Sequence, residues 1–238
     1  MLSNPQNSSL GVNPQALLSS VRQRIAQAAS QAGRDVRSIT LLAVTKGQDA
    51  ARIRTAVALG LHEFGENYVG EALPKIRALH DVPAIWHFIG RLQANKTRAV
   101  AENFAWAHSV DRLRLAERLD AQRPPTAPAL NVCVQVHIAN DPQKGGVAPD
   151  EALPLMQAIS RLPRLQLRGL MCMLPYDLDA NGQHAAFARL RDLLETARHA
   201  GLSVDTLSMG MSGDMDAAIA EGATIVRVGT ALFGPRAP

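Results

Sequence analysis

Aromatic residues make up only 4% of the 238 positions. A core built from this chain must be aliphatic, and a nucleic-acid surface of stacked rings is not expected. Lysine is also scarce: Lys46, Lys75, Lys96 and Lys144 stand against twenty-one arginines. No run of about 18 apolar residues occurs, so nothing reads as a membrane span. The two cysteines, Cys133 and Cys172, both lie inside apolar runs. They read as buried, reduced thiols of a cytoplasmic protein, not as a disulfide framework. Cys133 has no charged sequence neighbour to lower its pKa, which makes it a poor nucleophile. Metal-ligand spacings are missing, and His87 and His137 read as hydrogen-bonded strand residues.

Asp and Glu are absent from the first 34 positions. An organellar transit peptide has such a composition, but the residues spell a helix. Asn13 can cap it, Pro14 suits its first position and Gly33 its stop. Leu17, Leu18, Val21, Ile25 and Ala28 form one apolar stripe between them. Residues 1–12 read as a flexible polar tail, and 13–238 as one domain.

What the chain does have is aliphatic content. Apolar residues reach 47% and charged residues 19%, enough for a sizeable core. The net charge of +4 is scattered, with mild concentrations at Arg91–Arg98 and Arg112–Arg123. Eight short β-rich runs recur at 39–46, 63–67, 84–90, 105–110, 130–138, 166–173, 206–209 and 224–229. Helical spacing fills the intervals, with Asp111 expected to cap a helix over 112–122. Eight alternating units in about 200 residues predict an α/β fold, a single (β/α)8 TIM barrel with an extra N-terminal helix. An open doubly wound sheet is the alternative, weakened because no Gly-x-Gly-x-x-Gly follows the first strand.

In such a barrel the carboxyl ends of the strands form the active face. Thr40, Leu42, Val44 and Lys46 share one side of strand one by the two-residue period. An amine ending a buried strand is partly desolvated, which favours the free base that attacks carbonyls. The plain alternative is a snorkelling lysine that meets solvent. Lys75, Lys96 and Lys144 sit in polar, helical or loop surroundings. Asn67 ends strand two, Met173 ends strand six, and Arg227 lies in strand eight. Met209-Gly-Met-Ser-Gly213 and Val228-Gly-Thr230 look like a phosphate cradle, with hydroxyls from Ser212 and Thr230. Two ordinary glycine turns would read the same way. The methionines at 209, 211 and 215 read as packing around the loop.

A lysine and a phosphate cradle on one rim suggest pyridoxal 5′-phosphate (PLP). The sequence resembles the pyridoxal phosphate homeostasis protein family, whose barrel is akin to the N-terminal domain of alanine racemase. The likeness runs from about residue 15 to the end. It is carried by Leu41-Leu-Ala-Val-Thr-Lys46, Phe64-Gly-Glu-Asn-Tyr-Val69, Trp86-His-Phe-Ile-Gly90, Leu92-Gln-Ala-Asn-Lys96, Arg168-Gly-Leu-Met171, Leu207-Ser-Met-Gly-Met-Ser212 with Asp214, and Val226-Arg-Val-Gly-Thr230 with Phe233-Gly234. The resemblance implies an internal aldimine on Lys46. It implies phosphate contacts from Ser212, Gly229 and Thr230, with Asn67 and Arg227 near the ring and Met211 in the same cofactor-binding set. Two segments depart from the family: Gly47-Gln-Asp-Ala50 lacks a basic residue and proline, and Asn140–Gly146 lacks a glutamate.

The expected function is storage, buffering or delivery of PLP, with apo-PLP enzymes or amino acids as partners, no nucleic acid, no membrane and a monomeric state. A weak amino-acid racemase is the alternative, and a Schiff-base aldolase without PLP ranks last. An arginine at the pyridine nitrogen makes the ring a poor electron sink. Racemisation would also need a second acid/base. Alanine racemase takes a tyrosine for this from another domain, whereas this chain ends at Pro238 and offers Tyr68 and Tyr176.

Overall fold

A computed structural model describes residues 13–139 and 145–234. The expected tail at 1–12 and Lys144 lie outside the described residues. Eight parallel strands close on themselves in sequence order, β1 to β8, with β1 paired to β8. They are β1 Thr40–Val44, β2 Glu63–Glu66, β3 Ile85–Phe88, β4 Trp106–Val110, β5 Leu130–Gln135, β6 Leu165–Met171, β7 Thr206–Ser208 and β8 Ile225–Val228. Closure removes the edges that an open sheet would keep, so the doubly wound alternative falls away.

The helices follow the sequence signals closely. Helix α1, Pro14–Gln31, is capped by the Asn13 side chain accepting from Gln15 N, and Gly33 stops it with φ 64°. Its buried stripe is Leu18, Val21, Ile25, Ala28 and Ala29. Helices α2 Ala50–Ala58, α3 Val69–Ala78, α4 Thr97–Asn103, α5 Leu113–Gln122, α6 Pro149–Ile159, α7 Ala180–His199 and α8 Met215–Ala220 cover the outside of the barrel. A short α9, Thr230–Phe233, follows β8. Two local expectations need correction. Asp111 does not cap α5: the cap position is Arg112, and the Asp111 carboxylate pairs with the Arg112 guanidinium at 2.8 Å instead. Strand β5 stops at Gln135, short of Ile138, because Val136 bridges Val147 in the following loop.

Alternation along the strands sorts the core into two layers. Ala43, Phe64, Phe88 and Val132 face outward and pack with helix residues such as Leu119, Ile159 and Leu190. Full burial of each large aliphatic or aromatic side chain contributes about 1.5–3 kcal/mol. Inside the barrel the apolar cluster is small: Leu42, Ile89 and Ile225, flanked by Val44 and Trp106. Polar side chains fill much of the rest. His87, His108, Ser208 and Arg227 are all buried. A TIM barrel interior is usually layered with branched aliphatics, so this substitution is a property of the present chain.

Two details mark the two ends of the barrel. The β5–β6 register shifts between Val132 and Cys133, leaving Arg168 as an extra residue. Its guanidinium lies over the Trp106 ring, 4.9 Å from the centroid, and bridges to Asp205 at 2.6 Å. Both contacts lie at the amino-terminal end of the barrel. At the opposite end, a Cβ on Gly90 would stand 1.9 Å from the Asn67 carbonyl oxygen. Glycine there lets the backbone after β2 close against the backbone after β3.

Candidate functional site

A hollow of about 260 Å3 opens at the carboxyl ends of the strands. That is just under the roughly 300–1,000 Å3 of ordinary ligand pockets. Lys46, Asn67, Met211, Ser212, Arg227, Gly229 and Thr230, all singled out in the sequence, line it together. Val44, Ile89, Met173, Tyr176 and Gly213 complete the wall. The shared side of β1 is as the two-residue period requires: Leu42 fills the interior, and Val44 and Lys46 reach the hollow. A larger hollow of about 550 Å3 lies between the loops after β3 and β4. Its charged lining is Arg91, Arg112 and Arg114, all exposed, and it contains no residue singled out as a site candidate.

Lys46 lies two residues beyond β1 and is half-buried. The turn that carries it is anchored by Lys75, which the sequence placed in polar helical surroundings. Lys75 is helical and has polar neighbours as read, but it is only 7% exposed. Its ammonium donates to Thr45 O at 2.8 Å, Glu66 Oε1 at 2.8 Å and Glu71 Oε1 at 2.6 Å. Thr45 Oγ1 also donates to Glu66, and Gly47 N donates to Glu71. Thus α3 and the end of β2 clamp the residues on both sides of Lys46. Burial pushes the Glu66 carboxyl above the usual glutamate range, against the lowering effect of Lys75 and Thr45. The i, i+4 spacing of Glu71 and Lys75 was readable as a surface helix pair; the third partner, Glu66, was not. Behind the departing segment Gly47-Gln-Asp-Ala50, Gln48 is buried and accepts from Arg52 at 2.7 Å.

The cradle is held from outside. Gly210 has φ 92°, and a Cβ there would lie 2.5 Å from that of Ala218, so only glycine fits this turn. Asp214 Oδ1 accepts from Met211 N. Arg24, on α1, donates to Ser212 O at 2.7 Å and grips Asp216 with Nε and Nη2. The extra helix thereby latches the Ser212 loop, a contact spanning 188 residues that no local pattern could announce.

Arg227 is 4% exposed. Nη1 donates to Ser208 Oγ at 2.9 Å and Nη2 to Cys172 O at 2.8 Å. Among the described residues no carboxylate bridges to it. Burial lowers its pKa, but a guanidinium stays charged in proteins. Two neutral acceptors do not exhaust five N–H donors, and the group borders the hollow. Asn67 Oδ1 is likewise buried with no partner among the described residues. A buried amide oxygen left so costs about 1–3 kcal/mol unless something bound there pairs with it.

Other candidates do not reach the hollow. His87 is a strand histidine hydrogen-bonded to Glu63 and His108, below the rim. His137 lies past the end of β5, not within a strand as expected, and its Nε2 has no partner among the described residues. Burial pushes both cysteine thiols up to about 12, so neither is a nucleophile near neutral pH. Tyr176 lines the hollow, whereas Tyr68 caps α3 and is not part of the wall.

A closed parallel barrel with a lysine and a glycine-lined cradle on its rim is the alanine racemase N-terminal architecture. The family profile described as "Alanine racemase, N-terminal domain" matches residues 17–237. Over 219 residues the chain is 53% identical to the pyridoxal phosphate homeostasis protein of Pseudomonas aeruginosa, covering 92% of this chain and 94% of that one. It is 45% identical over 222 residues to the protein of the same name from Escherichia coli K12, covering 92% and 95%. The chain belongs to the pyridoxal phosphate homeostasis protein family. The structure of PipY from Synechococcus elongatus PCC7942 with PLP bound superposes with a TM-score of 0.82 at 39% identity, covering 93% of this chain and all of that one. Alanine racemase of Clostridium difficile shares the fold alone, with a TM-score of 0.67 at 12% identity over 89% of this chain and 56% of that one.

Proposed function

We propose that this protein binds PLP in the rim hollow and stores, buffers or delivers it, with little or no turnover. The observation that carries the reading is the convergence in one small hollow of the Lys46 amine, the Ser212 and Thr230 hydroxyls and the buried Arg227 guanidinium. That donor set fits a compact phosphorylated aldehyde with a ring nitrogen. Asn67, whose amide oxygen lacks a partner, fits a polar ring substituent. In this reading Lys46 is the attachment amine, and Met211 and Gly229 shape the wall. Ser212 and Thr230 donate to the phosphate.

When bound, PLP supplies an aldehyde for amines and an electron-withdrawing ring. Arg227 blunts the second property. It can only donate, so a ring nitrogen accepting from it remains unprotonated and withdraws electrons poorly. Its interior position keeps it from turning away to solvent. Storage thus follows from the same residue that discourages turnover. The reading extends to a cytoplasmic monomer whose partners are apo-PLP enzymes. The exposed large hydrophobics Val36, Tyr68, Ile85, Leu113 and Tyr176 are dispersed over separate elements, which supports the monomer. No helix among the described residues is long and apolar enough to cross a membrane.

Ser212→Ala and Thr230→Val are each expected to weaken PLP binding by about 1.5–3 kcal/mol, the worth of a charge-assisted hydrogen bond. Equilibrium fluorescence titration reads this. Pyridoxal without phosphate is expected to bind far more weakly, and equal affinity for the two would refute the cradle.

Tyr176 at the hollow supports the second reading, a weak racemase. The two separate in deuterium oxide. PLP-loaded protein incubated with L-alanine is expected to show little α-deuterium incorporation. It is also expected to reactivate an apo-PLP enzyme added to it. Rapid incorporation into both enantiomers, lost in Tyr176→Phe, would make the protein a racemase.

A further inference from the structure

The polar groups inside the barrel form one continuous line. Arg227 Nη1 donates to Ser208 Oγ at 2.9 Å. Ser208 Oγ meets His108 Nδ1 at 2.8 Å. His108 Nε2 meets His87 Nδ1 at 2.9 Å, and His87 Nε2 meets Glu63 Oε2 at 2.6 Å. The line starts at the hollow on the carboxyl side of the barrel. It ends at Glu63, the first residue of β2 on the opposite side, whose side chain is 28% exposed. Every intermediate member is buried.

The chemistry of the two ends dictates the direction of every proton between them. A guanidinium only donates, and an ionised carboxylate only accepts. Burial outweighs the neighbouring carboxylate and lowers the pKa of His87. Burial, then the neighbouring His87 and Arg227, lowers that of His108 well below the ordinary value. Both imidazoles are therefore neutral near pH 7, with one N–H each. With Glu63 accepting, His87 carries its proton on Nε2, and its Nδ1 accepts. His108 then carries its proton on Nε2, and its Nδ1 accepts from the Ser208 hydroxyl. Ser208 is left with lone pairs for Arg227. Each donor finds one acceptor, and no second arrangement satisfies both ends. The Trp106 ring, stacked on His87 with planes 9° apart, fixes the imidazole orientation.

We propose that Ser208, His108, His87 and Glu63 are positioning residues for Arg227, a one-way hydrogen-bond chain that crosses the barrel and holds the guanidinium toward the hollow. The proposal rests on reading Arg227 as the partner of the PLP ring nitrogen. The chain explains why a barrel interior, where aliphatic layers would be more stable, carries two buried histidines and a serine. A fully satisfied polar network specifies one arrangement, and a broken one is costly. It also explains how a buried cation with no bridging carboxylate among the described residues keeps one orientation. The nearest carboxylate along the line is Glu63, relayed through three neutral groups.

The test has two arms. In the first, 15N-labelled protein without added PLP is examined by histidine side-chain NMR. Two buried imidazoles with protonated Nε2 and unprotonated Nδ1 are expected; Nδ1–H on either His87 or His108 overturns the proposal. In the second, PLP affinity is titrated in variants whose folding is checked by thermal unfolding. Ser208→Ala is expected to weaken binding about tenfold, as for loss of a bond to a charged group, with Ser208→Thr close to wild type. Glu63→Ala, on the far side of the barrel, is expected to weaken it about threefold. That threefold effect is expected to vanish in the Arg227→Ala background, since coupled residues are not additive. An equal Glu63→Ala effect with and without Arg227 means general destabilisation and overturns the proposal. Loss of affinity in Arg227→Ala with none in Ser208→Ala or Glu63→Ala also overturns it, while sparing the reading of Arg227. Wild-type affinity in Arg227→Ala sinks that reading itself, and the NMR arm still reports whether the chain exists.

Discussion

Lys46→Ala is expected to abolish covalent attachment of PLP while leaving the barrel folded. The side chain is half-buried at the mouth of an open hollow, so its loss creates no sealed cavity. The stability change should stay within about 1 kcal/mol, since the large costs come from closed cavities and unpaired buried groups. Binding should not vanish. The proposed phosphate cradle and Arg227 remain, so a weaker, non-covalent complex is expected. Borohydride reduction followed by peptide mass mapping reads the attachment, and circular dichroism melting reads the fold. A full covalent complement on the variant would transfer the attachment to another amine. Lys75 is unsuited to that role because its ammonium already serves three acceptors. Lys144 and Lys96 would be mapped first.

Lys75→Met should be the most destabilising single change near the site. It keeps the shape of the side chain but strands Glu66, which is fully buried. Removing one partner of a buried pair costs about 3–5 kcal/mol. The cost must depend on pH, and its sign follows from Glu66. In the folded protein its pKa is raised above the unfolded value, with burial the main cause and Lys75 opposing. The folded state binds that proton more tightly than the unfolded chain does. Stability from this group is therefore greatest below the unfolded glutamate value and falls as pH rises through the folded value. Without Lys75 the folded value climbs further and the fall is larger. Urea unfolding should then show a smaller deficit for Lys75→Met at pH 5 than at pH 8. A deficit independent of pH would mean that packing, not the charge on Glu66, sets the cost. PLP attachment should also weaken, because Thr45 and Gly47 on either side of Lys46 lose their clamp.

These two lysines show how far local pattern reaches. Lys46 was legible because a strand imposes a two-residue period. Once Leu42 and Val44 are known to face inward, Lys46 must follow them to the rim. The same period, the helix stripes and the cap at Asn13 determined eight alternating units and hence a parallel barrel. Glycine turns, read with the barrel rule, determined that Ser212, Gly229 and Thr230 would meet Lys46 at one end. What the pattern could not show for Lys75 is its burial, which is not a local property. Its helix presents it at ordinary i, i+4 spacing from Glu71, and only the packing of α3 on the barrel seals Lys75 over Glu66, with Glu71 left partly exposed. The same holds for Arg24, which reaches Ser212 only because α1 lies beside α8. It holds most of all for the interior chain. Glu63, His87, His108, Ser208 and Arg227 come from five different strands of the closed sheet. Strand periodicity can say that each side chain faces inward. Barrel closure and the stagger between strands decide which inward groups stand at hydrogen-bond distance, and those are relations between segments that no single segment encodes.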